Sequence, residues 1–319
     1  MKLVVLERNS VGTDVDVSCF ERFGEVEYYP NTVAENTAER VKEADIIISN
    51  KAPMNESTLK DAPNVKLICL FATGFDCVDL AYCKSRGIKV ANVVNYSTAA
   101  VVQHTILLAL ALEEKLAFYD DYVKSGAYAA QDRFSNFDRT FGELDGKTWG
   151  IVGMGNIGRR VAKVAQALGC NVIFYSASGK SSCTEYERVE FEELLAQSDI
   201  LSLHCPLSDR TKGLMNREAF SKMKQTAILV NVARGPVVDT RALYEALTTG
   251  QIAAAGLDVL ENEPIAKDDP LGSITDSTKL IITPHMAWAS KEARERLVGE
   301  VMENMQAFLN GEERNIVNG

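Results

Sequence analysis

Three glycines at fixed spacing, in Gly153-Met154-Gly155-Asn156-Ile157-Gly158, are the first residues here that could do chemistry. The G-x-G-x-x-G pattern suits the diphosphate of a dinucleotide. Gly153 permits a tight turn, Gly155 lets a pyrophosphate approach the backbone, and Gly158 lets a helix pack closely on a strand. A helix opening there adds free N–H groups and the positive end of its dipole. The pattern alone is weak, but its setting strengthens it. Trp149–Gly153 reads as a strand, and the small Ala162 and Ala165 follow on a helical stretch. About 20 residues on, such sites place an acid on the ribose 2′-hydroxyl. Here the second strand ends Phe174-Tyr175-Ser176-Ala177-Ser178, and Ser176 stands in the acid's place. A serine can donate to a 2′-hydroxyl but does not repel a 2′-phosphate. Ser178 and Lys180 could hold one, yet no arginine accompanies them, and arginine is the better phosphate fork. The expected cofactor is NAD, with NADP left open by Ser176.

The elements needed to position this loop are legible as alternating short apolar runs and amphipathic stretches. Lys2–Leu6, Val26–Tyr29, Ile46–Ser49, Leu67–Phe71 and Lys89–Val93 read as buried strands, with helical spacing over Ala34–Lys42 and Val78–Ser85. A second series reads as strands at Trp149–Gly153, Val172–Tyr175, Ile200–His204, Ile228–Val232, Ala254–Val259 and Leu280–Thr283. Helices fall between them, around Asn156–Leu168, Phe191–Gln197, Arg217–Lys222 and Thr240–Thr249. Alternation of this kind predicts an α/β chain of parallel sheets, and six strands in the second series suit a doubly wound dinucleotide fold. Between the series, Thr98 to about Tyr122 predicts one long apolar helix, followed by a stretch of aromatic and charged residues (Phe134, Phe137, Asp138, Arg139, Phe141) of the kind that packs on a partner chain. Apolar residues at 297, 298, 301, 302, 305, 308 and 309 predict one helical face over Ser290–Leu309, returning to the first domain.

The bulk numbers exclude several classes. A net charge of −10, without a basic block, disfavours nucleic acid. Seven cysteines, an odd number with no C-x-x-C pair, read as reduced thiols and not as a disulfide framework or zinc site, so no metal is expected. The opening MKLVVLERNS has too short an apolar run for a signal peptide, and Ile106–Leu112 falls far below the ~20 residues of a membrane span. The expected location is the cytoplasm, without membrane association.

Several further segments match one family in the right order: GELDGKTWGIVGMGNIG (142–158), SDILSLHCPLSDRTKGLMN (198–216), ILVNVARGPVVD (228–239), GLDVLENEP (256–264) and ITPHMAWAS (282–290). Along nearly its whole length the sequence resembles the D-isomer-specific 2-hydroxyacid dehydrogenases. TPHMAWAS and NYST (95–98) look most like the glycerate dehydrogenase, or hydroxypyruvate reductase, branch. The resemblance implies a flavodoxin-like substrate domain, residues 1–98 completed by 287–319, and a Rossmann cofactor domain, 99–286, with a cleft between them. It also implies a homodimer and a small 2-oxo or 2-hydroxy acid as substrate.

Reducing a 2-oxo acid requires a cation for its carboxylate and carbonyl, a proton donor for the carbonyl oxygen, and a group that keeps the donor charged and aimed. The family's catalytic residues fall on Arg234, His285 and Glu263 in those roles. Arg234 follows a strand end, where open sheets place ligands, and its fork matches a carboxylate. Imidazole suits proton transfer near neutrality, and a neighbouring carboxylate favours its charged form. Further positions carry over. Ala72-Thr73-Gly74 resembles a carboxylate-binding turn; Trp288, three residues after His285, reads either as a wall over the substrate or as core packing for the last helix, with Tyr96 a similar candidate across the cleft. His204, Cys205, Pro206, Val232 and Ala233 belong with the nicotinamide, Thr211 with the pyrophosphate, and Asp258 with the carboxamide. His104, on an apolar helix, reads as a buried structural residue. The expected reaction is reduction of hydroxypyruvate or glyoxylate. D-lactate or a bulkier D-2-hydroxy acid is the alternative substrate, and a dinucleotide-sensing binding protein the alternative class.

Overall fold

The computed structural model describes all 319 residues, which form two compact units: Met1–Ser97 with Ala289–Gly319, and Thr98–Trp288. Both are built on all-parallel sheets. The central strands are buried along their length, as strands covered by helices on both faces must be.

In the first unit, β1 (Lys2–Val5), β2 (Glu25–Tyr28), β3 (Ile46–Ser49), β4 (Leu67–Leu70) and β5 (Lys89–Ala91) lie in the order β2-β1-β3-β4-β5. This is the flavodoxin-like arrangement, with its reversal of strand order between β1 and β3. Helices α1 (Ala34–Val41), α2 (Glu56–Leu59) and α3 (Leu80–Ser85) connect the strands. The C-terminal residues cover the β5 edge: Val317 N donates to Val90 O (2.9 Å), and the Asn318 amide bonds Val90 N and Ile88 O (2.9 and 2.8 Å). An edge so covered cannot pair with another chain.

The second unit opens with α4 (Thr98–Glu113), α5 (Leu116–Lys124) and α6 (Ala127–Ala130). Its sheet holds β6 (Thr148–Val152), β7 (Asn171–Tyr175), β8 (Glu187–Arg188), β9 (Ile200–Leu203), β10 (Ile228–Asn231), β11 (Ala254–Leu257) and β12 (Leu280–Ile282). Helices α7 (Asn156–Ala167), α8 (Phe191–Gln197), α9 (Arg217–Ser221) and α10 (Thr240–Thr249) join them. The strand order β12-β11-β10-β9-β6-β7-β8 is the dinucleotide fold's 3-2-1-4-5-6 plus one strand, counted from β6. Asn216 and Asp239 cap α9 and α10 by accepting from Ala219 N and Ala242 N (3.0 and 2.9 Å). The final helix, α11 (Lys291–Leu309), belongs to the first unit and buries Leu297, Val298, Val301 and Met305.

Two expectations are corrected. The long helix from Thr98 is two helices, because Lys115 takes a left-handed conformation (φ 54°) and its ammonium donates to Leu112 O (2.8 Å), satisfying a carbonyl that the helix end leaves free. The second sheet has a seventh strand, β8. Two residues are too few to show a period, which is why the sequence reading missed it.

Candidate active site

The reversal between β6 and β9 is where an open sheet leaves a crevice for a ligand. The glycine turn leaves β6 there with Gly153 at φ 97°, and His204-Cys205-Pro206 leaves β9 beside it. A Cβ on Gly153 would lie 2.9 Å from the His204 carbonyl and Cys205 N, and one on Gly158 2.2 Å from the Gly153 carbonyl oxygen. Neither position accepts a side chain. A Cβ on Gly155, by contrast, would meet nothing within 4 Å, so it would project into the open cradle where a diphosphate fits. Asn156 begins α7, Ile157 packs on the core, and Met154 is buried in it.

His204 gives a second sign of fit. Its Nε2 meets Ser202 Oγ at 3.0 Å, and that oxygen also accepts from Trp149 Nε1 (2.9 Å). Its Nδ1 is buried without a partner, and burial pushes the ring down to about 3, so it stays neutral. A buried polar atom without a partner is rare enough to point to a missing ligand or water. Cys205 is buried, its thiol pushed up to about 11 by desolvation, and Pro206 is exposed. Thr211 is buried, with its hydroxyl donating to Pro206 O (2.6 Å) and accepting from Ser208 N (2.8 Å), which fixes the shape of this loop. These residues fit a dinucleotide.

The turn after β10 carries Val232, Ala233 and Arg234. It is bracketed by Asn231, fully buried, whose amide accepts from Ala233 N and donates to Arg234 O (3.0 Å each). Arg234 Nη1 donates to Ala233 O (2.8 Å). The next residue, Gly235, is pressed against the chain after β11: a Cβ there would lie 1.8 Å from Leu260 O. That contact joins the Arg234 turn to the segment bearing Glu263.

Glu263 accepts from Leu260 N through Oε1 (3.0 Å) and meets His285 Nδ1 through Oε2 at 2.6 Å, with the two side chains 34% and 30% exposed. Both carboxylate oxygens are therefore committed, and the imidazole is aimed by one of them. His285 itself has φ 52°, uncommon for a residue with a side chain. Its N–H donates to Asp258 O (2.8 Å) and Thr283 O (3.0 Å), which holds the chain in that turn.

Asp258, expected beside a carboxamide, is 2% exposed and directs both oxygens at the chain. Oδ1 accepts from Thr283 Oγ1 (2.6 Å) and Met286 N (2.8 Å), and Oδ2 from Ala287 N (2.8 Å). His104, buried on α4, extends this network through Nε2 to Thr283 Oγ1 (2.9 Å). It is a structural histidine, as its apolar helix suggested, but one bonded to the loop that carries His285. Trp288, half-buried, ends the same loop.

Ser176 is buried directly after β7, and its hydroxyl accepts from Ser181 N (3.4 Å). No arginine lies close to it along the chain. The structure brings Arg188 there from β8, with Nη1 donating to Gly179 O (3.2 Å).

In the first unit, Ala72-Thr73-Gly74 follows β4. Thr73 Oγ1 donates to Val93 O (2.6 Å), and Asn92 Nδ2 donates to Thr73 O (2.7 Å), so the turn is pinned from one side. Tyr96 is buried. The crevice between β1 and β3 is filled by the chain's own carboxylate. Glu7, 7% exposed, accepts from Ser49 Oγ and from the N–H groups of Asn50, Lys51 and Ala52 (2.9, 2.8, 2.8 and 2.7 Å). Asn231, Gly235 and Glu7 were missed in sequence. Only Gly235, directly after the arginine, carried any signal.

Comparison with known proteins finds relatives along the whole chain. Residues 106–287 match the D-isomer specific 2-hydroxyacid dehydrogenase, NAD binding domain. Over the full length of both chains, the protein is 40% identical to a hydroxypyruvate reductase of Blautia hydrogenotrophica. It is 39% identical to a glycerate dehydrogenase of Methylorubrum extorquens, covering 99% of this chain and 98% of the other. Among solved structures, a D-lactate dehydrogenase of Aquifex aeolicus, complexed with NAD and lactic acid, superposes with a TM-score of 0.87 at 30% identity, covering 100% and 99% of the two chains. The chain belongs to the D-isomer specific 2-hydroxyacid dehydrogenase family.

Proposed function

We propose that the protein reduces hydroxypyruvate or glyoxylate to the D-2-hydroxy acid and catalyses the reverse oxidation. The carrying observation is the 2.6 Å contact between Glu263 and His285, in the unit that also holds the glycine cradle. The Arg234 guanidinium binds the substrate carboxylate and polarises the 2-oxo group. His285 Nε2 donates a proton to the carbonyl oxygen as negative charge develops there, and accepts it back in the oxidative direction. Glu263 takes the Nδ1–H, which fixes the tautomer and the aim of the ring. A nicotinamide dinucleotide held in the glycine cradle would supply the hydride for C2.

Gly153 to Gly158 and Thr211 would hold its diphosphate, with Ser176 at the ribose. His204, Cys205, Pro206, Val232 and Ala233 would hold the nicotinamide half. Asp258 is proposed at the carboxamide, beside its support of the His285 loop. The N–H groups of Ala72-Thr73-Gly74 would share the substrate carboxylate, and Trp288 would wall the substrate.

A homodimer is the proposed assembly. Phe134, Phe137 and Phe141 are 90%, 74% and 52% exposed in one segment, and exposed aromatic groups so concentrated mark a partner surface. Light scattering would give the mass of two chains. No helix is long and apolar enough to cross a membrane.

D-lactate formation is the second reading, favoured by the resemblance to the Aquifex aeolicus enzyme. Nicotinamide absorbance, followed with hydroxypyruvate, glyoxylate, pyruvate and phenylpyruvate against NADH and NADPH, tests both. Fastest turnover with hydroxypyruvate or glyoxylate supports the proposal. Fastest turnover with pyruvate supports the second reading. No turnover with any pair refutes both and leaves a dinucleotide-binding protein.

A further inference from the structure

We propose that the loop after β7 is a binding site for the 2′-phosphate of NADP(H), formed by Ser176, Ser178, Lys180 and Arg188. The inference rests on the dehydrogenase reading above and adds the identity of its dinucleotide.

The loop lies where the adenosine ribose belongs. Val152 pairs with Tyr175 across β6 and β7, and Gly153 N donates to Tyr175 O (3.0 Å), so the glycine turn and Ser176 are neighbours. Beyond Ser176 the chain reverses: Gly179 N donates to Ser176 O (2.9 Å), with Gly179 at φ 72°. The Ser176 hydroxyl accepts from Ser181 N (3.4 Å) and keeps its own proton to donate. Ser178 Oγ accepts from Lys180 N (3.2 Å) on the same turn.

Register places the arginine. Arg188 pairs with Phe174 and Glu187 with Ile173. Successive residues of a strand face opposite ways, so Arg188 shares a face with Phe174 and Ser176, and Glu187 lies on the other. One guanidinium nitrogen donates to Gly179 O (3.2 Å), which leaves the other N–H groups of the fork for a phosphate.

Charge agrees with geometry. Residues 176–184 contain no Asp or Glu, and Lys180 adds a second cation. Glu185 and Glu187 line a groove with Thr148 and Asn171, the first residues of β6 and β7, at the opposite end of the strands from Ser176, and Glu190, two residues beyond Arg188, is exposed at the near end. A phosphate monoester carries about −1.5 to −2 near pH 7. Lys180 and Arg188 set two positive charges against it. A site for the unphosphorylated ribose would carry a carboxylate here, accepting from the hydroxyls and excluding the phosphate.

The test is calorimetric titration of the purified protein with NADP⁺ and NAD⁺, without substrate. NADP⁺ is expected to bind at least tenfold tighter. The ratio of the two affinities should fall at least tenfold in Arg188→Ala, and NAD⁺ should become the preferred ligand in Ser176→Asp. NAD⁺ binding as tightly as NADP⁺, or a ratio unmoved by Arg188→Ala, overturns the 2′-phosphate site while leaving the dehydrogenase reading intact. Binding of neither dinucleotide overturns both.

Discussion

Replacing Glu263 by Gln should separate aiming the proton donor from merely placing it. The carboxylate has two acceptors in use, one for Leu260 N at 3.0 Å and one for His285 Nδ1 at 2.6 Å. A carboxamide of the same shape has one acceptor and one donor. If its oxygen faces His285, its NH₂ opposes the Leu260 N–H; if it faces Leu260, the NH₂ opposes the imidazole. Either the Leu260 contact is lost, or Nδ1 must accept instead of donate and the ring loses the acceptor that holds its Nδ1–H; the carboxylate charge is lost in both cases. A hydrogen bond to a charged group contributes about 1.5–3 kcal/mol. At about 1.4 kcal/mol per tenfold in rate, kcat should fall roughly 10- to 100-fold. The glycine cradle is untouched, so dinucleotide affinity should stay within about twofold, well under the ~1.4 kcal/mol of a tenfold change. Steady-state kinetics with the preferred substrate and a separate dinucleotide titration read the two quantities. A kcat within twofold of the parent would refute the orienting role. An equal loss of dinucleotide affinity would refute its being local.

Gly235→Ala drives a methyl to 1.8 Å from Leu260 O, so the segment reaching Glu263 must shift; about 1–3 kcal/mol of stability and at least tenfold of kcat should be lost, measured by urea unfolding and turnover. A variant as stable and as fast as the parent would mean that the close approach is dispensable. Glu7→Ala leaves the buried Ser49 hydroxyl and Ala52 N–H without their acceptor and should cost about 2–6 kcal/mol in unfolding free energy, at 1–3 kcal/mol for each of the two buried donors. A loss under 1 kcal/mol contradicts that clamp. His204 titrates at about 3 in the native chain and near 6.5 when unfolded, so the unfolded state binds the extra proton between those values. Its contribution to stability is therefore fully present above pH 6.5 and declines as pH falls, by up to about 2 kcal/mol at pH 5 at 1.36 kcal/mol per unit. His204→Gln should remove that share of the pH dependence; parallel stability curves for the two proteins would show that His204 is not buried neutral.

What the sequence disclosed follows the range of the interactions involved. Both sheets were visible because buried parallel strands write continuous apolar runs, as in Ile46–Ser49 and Ile228–Asn231, with boundaries missed by a residue or so. The glycine turn was visible because its function needs glycine at fixed spacing. The break at Lys115 was hidden because nothing in Glu114-Lys115 disfavours helix; the left-handed turn appears only with the Leu112 carbonyl to receive the ammonium. Arg188 was hidden because its strand is two residues long and it reaches the turn after Ser176, at Gly179 O, only through sheet pairing with Phe174. The Asp258–Thr283–His104 network was hidden for a similar reason, since it joins residues up to 179 apart in sequence. Sequence motifs named the groups proposed to face a ligand. The groups that hold those in place are tertiary.

The most direct test of the central claim is turnover by His285→Gln alongside its dinucleotide affinity. If His285 moves the proton, kcat falls by ~10²-fold or more, the usual worth of a positioned general acid, while dinucleotide affinity stays close to the parent value. Turnover within a fewfold of the parent would contradict the account, and proton transfer would belong to another group.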